Sequence, residues 1–448
     1  MANPVDPCGA FGEAVAVKAS LDSRFWRIWT AAAVSTLGDG VRTAAIPLLA
    51  ASLTRDPLPI AAVSVAAGLP WALFALLSGA LVDRLDRRRI MAYTDLFRFG
   101  VVGLLAVAIA TDRASIWLLC LVAFALGTGE TMFDNAAQAM VPALVDRPRL
   151  ELANSRLASA EIVSRDFVGP PLGAVLFTAA MVVPFALDSI SFAAAALLVL
   201  SVRGSFRVPR PGPPTRISHE IKEGLQWLWA HRLIRSMAIM LAVWNLVAAA
   251  TQAILVLFAL EILDLHGIGY GLLFTAWPAG GLLGSLVATR IIGRLGHAHA
   301  LLSTVAVGAL TSAGIGLSSS PWLVGVMLAL EGVAIVVWNV ITVSARQALV
   351  PAELFGRVNS VYRFVGWGVL PIGAALGGVL AKAVGLRAPY LLTAVVLVAM
   401  IVSARRVINP ATFDAAFEDA PREPDLDTEP DLDTEPDLET GPEPGRAP

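Results

Sequence analysis

The chain has 448 residues, of which 56% are hydrophobic and only 15% are charged, with a mean hydropathy of +0.71 and a formal net charge of −2. A soluble protein of this length carries about one quarter charged residues. The composition therefore excludes an ordinary soluble enzyme or nucleic-acid-binding protein, and it predicts a chain that lies in a lipid bilayer.

Twelve apolar stretches are long enough to cross a hydrocarbon core of about 30 Å as helices, which takes about 20 residues each. They are too long for strands and lack the alternation of a β-barrel. We therefore predict an all-α integral membrane protein with twelve transmembrane helices, termed spans 1 to 12. The stretches are 26–52, 59–82, 90–111, 115–140, 158–180, 182–202, 233–262, 268–290, 299–319, 321–345, 360–383 and 387–405.

Basic residues predict the orientation of these spans. The segments on the side of the two termini hold 24 Lys and Arg, whereas the opposite loops hold four. Lys and Arg concentrate in cytoplasmic loops, so both termini are expected in the cytoplasm and the protein in the cell inner membrane. Residues 1–24 lack an apolar core followed by a cleavage site, so they are interpreted as a cytoplasmic tail without a removable signal peptide.

The loop between spans 2 and 3 carries the most specific motif, Gly-Ala-Leu-Val-Asp-Arg-Leu-Asp-Arg-Arg-Arg over 79–89. It resembles the signature G-x-L-x-D-R-x-G-R-[RK] of the major facilitator superfamily. Asp86 replaces the second glycine, a variant similar to the drug and siderophore exporter branch that includes macrolide-efflux proteins. The resemblance implies two pseudo-symmetric six-helix bundles and a gating role for the loop. The matching residues are Gly79, Leu81, Asp83, Arg84, Arg87 and Arg88.

The two halves of the chain repeat weakly, as the resemblance implies for two bundles related by an axis along the membrane normal. Ala-Met-Val-Pro-Ala at 139–143 recurs as Ala-Leu-Val-Pro-Ala at 348–352. The predicted organisation is a tail, a first bundle, a linker, a second bundle and a disordered tail. Their ranges are 1–24, 25–202, 203–231, 232–408 and 409–448.

Two of these segments leave alternatives open. The linker contains apolar residues at helical spacing from 217 to 229, which fits an amphipathic helix on the membrane surface or an incidental helical stretch in a basic linker. The tail 409–448 has 13 acids and two arginines, net −11, so the remainder of the chain carries about +9. Its proline-rich, acidic composition predicts disorder, either as a solvated tail or as a docking segment for a partner.

Charged residues within the spans form a second layer of signals, because each costs about 2.5–3.5 kcal/mol at the bilayer centre. Several can pair on their own helix at i,i+3 or i,i+4 spacing. Asp39 and Arg42 are predicted to stay charged as a conformational or substrate-orienting pair. Local neutralisation is an equally good explanation for the other two pairs, Asp95–Arg98 and Glu161–Arg165.

Three acids lack a basic neighbour on their own helix. Glu130 and Asp134 lie one turn apart on span 4, and Glu331 lies near the middle of span 10. Unless a cation from another helix neutralises them, they are easily protonated in a buried site. We predict that these three acids carry the protons in a coupled transporter.

The resemblance places spans 1, 4, 7 and 10 around a central cavity. On spans 7 and 10 the cavity-lining candidates are Trp244, Asn245, Gln252, Trp338 and Asn339. Acids, amides and tryptophans with few cations suit amphiphilic, often cationic, organic molecules. The tryptophans can equally be packing residues or residues of the interfacial belt.

Span 5 contains a motif that bears on the direction of transport. Gly169, Pro170 and Gly173 resemble the end of the antiporter motif G-P-x-x-G-G, which is associated with exporters. Arg165 stands where that motif has a preceding glycine. Small residues and proline also simply permit close helix packing.

Energy for transport is expected from an ion gradient, because no nucleotide-binding loop is present. The predicted function is secondary active export of small hydrophobic or amphiphilic compounds, such as drugs and antibiotics, by proton antiport with alternating access. The partners are a small-molecule substrate, protons and the lipid bilayer, with no nucleotide, nucleic acid, metal or cofactor, and the protein is expected to be a monomer and not an enzyme. The alternatives are export of a siderophore or other endogenous metabolite, and a transporter-like membrane sensor that uses the acidic tail.

Overall fold

The structure is a computed structural model that describes residues 22–82, 85–145, 149–203 and 217–418. Within these ranges the chain is helical and contains no strand, which confirms the all-α prediction. The first half contains α1 (Ser23–Leu53), α2 (Pro57–Val82), α3 (Arg87–Ala110), α4 (Ile116–Leu144), α5 (Leu150–Glu161), α6 (Gly169–Ala179) and α7 (Val183–Ser201). The second half contains α8 (Ile217–Ala230), α9 (Arg232–Gln252), α10 (Leu255–Leu257), α11 (Ile268–Leu317), α12 (Pro321–Leu349), α13 (Ala352–Trp367), α14 (Leu370–Val384), α15 (Ala388–Ala404) and α16 (Pro410–Glu418).

Eight helices in the described ranges are long and apolar enough to cross a membrane. One of them, α11, has 50 residues and is kinked at Gly296, whose φ of 73° lies in the left-handed region that favours glycine. Predicted spans 8 and 9 are thus two helices joined without a loop. The number of twelve spans stays a prediction, because several predicted spans are broken into pieces too short to cross alone.

Prolines and π-helical turns account for the broken helices. Residues 162–168 form a π-helical segment between α5 and α6, directly before Pro170 and Pro171. Proline has no backbone N–H for the helix ladder, so the preceding carbonyls lose their usual partners. Predicted span 5 therefore consists of α5, the π segment and α6, and it begins earlier than expected, at Leu150.

The helices form two bundles with two membrane faces. We call the face at which α1 begins and α15 ends the terminal face, and the opposite one the far face. The first bundle contains α1 to α7 and the second contains α9 to α15. Helix α8 lies between them in sequence and packs against α13 and α9, with Arg357 donating to Glu223 at 2.5 Å.

The bundles meet chiefly at the far face, where α2 packs against α14 and α6 against α11. Gly378 lies so close to Ala61, and Gly271 to the backbone of Pro171, that a Cβ on either glycine would overlap its neighbour. Buried apolar residues from both bundles form one common cluster on this side. On the terminal side the larger clusters belong to one bundle each. The two bundles are therefore joined at the far face and separate towards the terminal face.

Helix α16 differs from the sequence prediction of a disordered segment from 409 onwards. Its residues 410–418 are helical, and Phe413 is buried against the second bundle with its ring 6.1 Å from that of His297. Two phenylalanines in an otherwise acidic stretch give this short part an apolar side to pack. The repeats that follow lie outside the described residues.

Candidate functional site

A cavity of about 780 Å³ lies between the two bundles. Side chains from α1, α2 and the π segment line it on one side, and side chains from α9, α11, α12, α13, α14 and α15 line it on the other. Its volume falls within the range of about 300–1,000 Å³ found for small-molecule sites. The cavity extends from the joined far side to Arg346 near the terminal-face end of α12.

The five aromatic and amide residues selected from the sequence all line this cavity. Trp244 and Trp338 are stacked, with ring centroids 6.3 Å apart, and both are largely buried. Asn245 donates to the carbonyl of Gly366 at 2.7 Å and so ties α9 to α13. The tryptophans therefore contribute both to packing within the second bundle and to the cavity wall. The five residues are Trp244, Asn245, Gln252, Trp338 and Asn339.

Glu331 lies in the cavity wall on α12. Within the described residues, no Lys, Arg or His nitrogen comes within the 4.0 Å of an ion pair with its carboxylate. The π segment contributes a second acid to the wall, Asp166. Both carboxylates face a space that a substrate or water can enter.

The expectation of few cations in the cavity is wrong, because three arginines line it: Arg165, Arg346 and Arg363. Arg346 and Arg363 lie at the edges of predicted spans 10 and 11, so the sequence assigned them to an inner loop. In the structure α12 and α13 carry them into the wall of the cavity. This region of the site is basic.

Glu130 has a counter-ion from another helix, which sequence spacing did not reveal. Arg165 donates to Glu130 at 2.7 Å and also lies 3.7 Å from Glu161, the partner predicted for it. Arg165 belongs to the π-helical segment, whose wider turn rotates side chains relative to an α-helix. Arg165 is therefore the cation from another helix whose presence the sequence left open, and a role of Glu130 in proton coupling stays a prediction. One turn on, Asp134 has no basic nitrogen within 4.0 Å among the described residues.

A buried ionic cluster joins α1 to α7. Arg42 pairs with Asp39, as predicted, and also donates to Asp188 at 3.0 Å. The Asp188 side chain is completely buried, and in the described part of the chain its atom Oδ1 has no hydrogen-bond partner. The sequence analysis did not select Asp188, although it is the only charged residue in predicted span 6. A lone acid in an apolar span was the available signal that a cation from another helix approaches it.

The Asp95–Arg98 pair lies deep within the first bundle, with an N–O distance of 3.8 Å. The guanidinium group of Arg98 lies between the rings of Phe133 and Phe192, 5.3 Å from each centroid. Cation–π contacts of this kind stabilise a buried guanidinium group. The pair does not line the cavity, which fits a structural role.

The small residues of span 5 pack against α1. A Cβ on Gly169 would lie 2.5 Å from the Cα of Gly40, and one on Gly173 would overlap the carbonyl of Val41. Pro170 lies at the cavity and also contacts Gly271 of the second bundle. The segment therefore brings three helices close together, and its connection with export stays a prediction.

The loop between predicted spans 2 and 3, for which gating stays a prediction, is described only in part. Asp83 and Arg84 lie outside the described residues, and Gly79 is described only as part of α2. Asp86, the residue that replaces the signature's glycine, caps α3 by accepting from the backbone N–H of Arg88 at 3.0 Å. The Arg88 side chain donates to the carbonyl of Val202, which holds the loop against the end of α7. Arg87 begins α3, and its gating role stays a prediction.

Two apolar helix bundles around a central, partly charged cavity are the architecture of a membrane transporter. Residues 19–442 match the family model MFS_3, described as transmembrane secretion effector. The chain belongs to this family of the major facilitator superfamily, and it is therefore a multi-pass membrane transporter and not an enzyme.

Known proteins similar to the chain are consistent with this assignment. Macrolide efflux protein A of Streptococcus pyogenes is 22% identical over 391 residues, covering 85% of this chain and 94% of that protein. The multidrug efflux pump Tap of Mycolicibacterium fortuitum is 27% identical over 381 residues, covering 81% and 90%. A bacterial homologue of the iron transporter ferroportin, solved in its inward-facing state, shares the fold with a TM-score of 0.69 and 16% identity, covering 86% and 99%.

Proposed function

We propose that this transporter exports small hydrophobic or amphiphilic organic compounds, including antibiotics, by proton antiport with alternating access. The observation that carries the proposal is the cavity of about 780 Å³, which combines stacked tryptophans with an acid, Glu331, that lacks a basic partner among the described residues. The names of the macrolide and multidrug efflux relatives support drugs as the substrate class. The 24-to-4 distribution of basic residues supports a cytoplasmic terminal face in the bacterial inner membrane.

In this orientation the structure corresponds to an inward-facing state, because the bundles are joined at the far face. One contact across that junction is ionic: Lys382 at the end of α14 donates to Asp56, before α2, at 2.5 Å. An outward-facing state requires this contact to break. The pair is therefore a latch between the bundles on the periplasmic side.

Charge reversal tests the latch. Asp56→Lys or Lys382→Asp alone is expected to increase the outward-open population by up to about fivefold, the range for a solvent-exposed ion pair, and the double swap restores it. The measurement is the distance between spin labels at Thr111→Cys and Val384→Cys, with the native cysteines replaced by serine. Unchanged distances in both single variants would contradict a role in closure.

The latch is not expected to respond to pH in the physiological range. The hydrogen bond from Lys382 holds the pKa of Asp56 below its ordinary value. Because the pKa of this acid is lowered in the closed state, its contribution to closure is present above its ordinary pKa of about 4. The contribution is lost only as the pH falls through the lowered pKa. Label distances should therefore stay constant from about pH 5.5 to pH 8.

Accumulation in an efflux-deficient bacterium tests drug export directly. Cells that express the protein are expected to accumulate less macrolide or ethidium than control cells, and a protonophore should remove the difference. Trp338→Ala should weaken export, whereas Trp322→Ala, a tryptophan of the same helix that is 87% exposed, should not. If cells that express the protein accumulate macrolide and ethidium to the same level as control cells, drug export is refuted.

A further inference from the structure

Two arginines of the cavity stand apart from the other charged groups that line it. Arg165 is paired with Glu130, but Arg346 and Arg363 have no acidic oxygen within 4.0 Å among the described residues. Arg357, two helical turns before Arg363 on α13, is paired with Glu223. The basic region of the cavity therefore carries two positive charges that no described carboxylate balances.

The geometry of Arg346 leaves its Nε donor unused. Its guanidinium group lies over the ring of Tyr362, with the central carbon 3.9 Å from the centroid, while the Nε atom is buried and has no hydrogen-bond partner among the residues that the structure describes. A buried donor is normally satisfied by protein, water or ligand. Arginine presents its N–H groups as a planar fork that matches the oxygens of a carboxylate, phosphate or sulfonate.

Arg346 lies on the same face of α12 as other cavity residues, because Glu331, Ile335, Trp338, Thr342 and Arg346 recur every three or four positions and all line the cavity. At a rise of 1.5 Å per residue, Trp338 lies about 12 Å and Glu331 about 22 Å from Arg346 along the helix axis. An elongated molecule can therefore place one end at the arginines and its apolar body against Trp338. Such a molecule does not reach the carboxylate of Glu331.

We propose that Arg346 and Arg363 form an anion subsite that binds the carboxylate, phosphate or sulfonate group of an amphiphilic substrate whose apolar body lies along Trp338. This inference rests on the proposed export function, and it adds amphiphiles that carry an acidic group to the substrates proposed there. The headgroup of an anionic phospholipid offers the same chemistry. The test therefore separates a bound lipid from a transported molecule.

Binding of two matched probes to the purified full-length protein in phosphatidylcholine nanodiscs tests the subsite without requiring transport. The probes are 8-anilinonaphthalene-1-sulfonate and N-phenyl-1-naphthylamine, which lacks the sulfonate. Arg346→Gln and Arg363→Gln should each weaken binding of the sulfonate at least about tenfold, as loss of a charge-assisted hydrogen bond does. Binding of the uncharged probe should change less than twofold.

Controls keep the result independent of folding and of the transport proposal. Arg290→Gln removes an exposed arginine that donates to the carbonyl of Leu286 and does not line the cavity, so it should bind both probes as wild type does. Arg346→Lys keeps the positive charge but lacks the planar set of guanidinium N–H donors, so it should bind the sulfonate with intermediate affinity. The inference is overturned if Arg346→Gln and Arg363→Gln bind the sulfonate like wild type, or if both probes weaken equally.

Nanodiscs with phosphatidylglycerol distinguish the two sources of the anion. If the sulfonate binds equally well with and without this anionic lipid, the subsite belongs to a substrate. If the lipid displaces the sulfonate from wild-type protein, the subsite holds a headgroup and the substrate assignment is overturned. A protein that binds the sulfonate at both arginines but exports no compound would refute the proposed function and leave the subsite intact.

Discussion

Glu331→Gln is expected to abolish uphill transport while leaving downhill flux of the substrate in place. Glutamine keeps the shape of the side chain but cannot bind and release a proton. The acid lines the cavity and has no basic partner within ion-pair distance among the described residues, so its carboxylate can bind and release a proton at the cavity. A proton moving down a membrane potential supplies about 2.3 kcal/mol per 100 mV, which corresponds to a substrate gradient of about fiftyfold.

Inverted membrane vesicles provide the measurement, because their cytoplasmic face is exposed to the medium. With an imposed pH gradient, wild-type vesicles should concentrate a macrolide, whereas Glu331→Gln vesicles should only equilibrate it. Glu353→Gln, at an exposed glutamate in the first turn of α13, is the matched control and should transport normally. Should Glu331→Gln vesicles still concentrate substrate, Glu331 is part of the cavity lining and not a proton carrier.

Arg42→Met should destabilise the first bundle more than any other single change considered. Arg42 neutralises Asp39 and Asp188, both largely or completely buried. Removing the cation leaves two carboxylates without a counter-ion in a medium that solvates charge poorly. Breaking a buried ion pair on one side costs about 3–5 kcal/mol, which is a large fraction of the stability of a typical domain.

Thermal unfolding followed by fluorescence-detected size exclusion measures this effect in detergent. Arg42→Met should lower the yield of monodisperse protein and the midpoint of unfolding by many degrees, and adding Asp39→Asn and Asp188→Asn should recover most of the loss. Arg113→Ala, at an exposed position between α3 and α4, should behave like wild type. A stable Arg42→Met protein would show that the two acids are already neutral and do not need the arginine.

The helical fold could be predicted from the sequence because each crossing requires a continuous apolar run, and such runs are visible without any tertiary information. The helix breaks were harder to locate. The π segment at 162–168 and the kink at Gly296 lie within or between apolar runs, where hydropathy is uninformative. The sequence predicts a short basic inner loop between spans 8 and 9, whereas in the structure α11 runs through this region with a kink at Gly296.

The candidate site was predictable where partners share a helix and not where they come from different helices. Asp39–Arg42 follows from i,i+3 spacing alone. Glu130–Arg165 and Arg42–Asp188 depend on how α4, α7 and the π segment are rotated relative to α1, which spacing on one helix cannot reveal. Arg346 was missed for a related reason, because a residue at a span boundary can face either the cavity or the water.

The replacement of a glycine by Asp86 in the loop signature also has a local explanation. The Asp86 carboxylate accepts from the backbone N–H groups of Arg88 and Arg89 at 3.0 and 3.4 Å and so begins α3. The first four N–H groups of a helix lack partners within it, and an N-cap carboxylate satisfies one or two of them. Asp86 thus fixes the residue at which α3 begins, and the basic residues that come after it belong to the first turn of that helix.

The glycine contacts at the far face bear on a different requirement of a coupled transporter, which is that protons must not leak through the closed side. Gly271 and Gly378 let backbones of the two bundles approach until no side chain fits between them. A file of water molecules needs a polar, open path several ångströms wide, and such a junction provides none. Interdigitated large side chains would also block water, but they would have to change rotamers before the bundles separate. A junction made of small residues can part in one movement and reseal without such rearrangement, which the proposed coupling of proton movement to the conformational change requires.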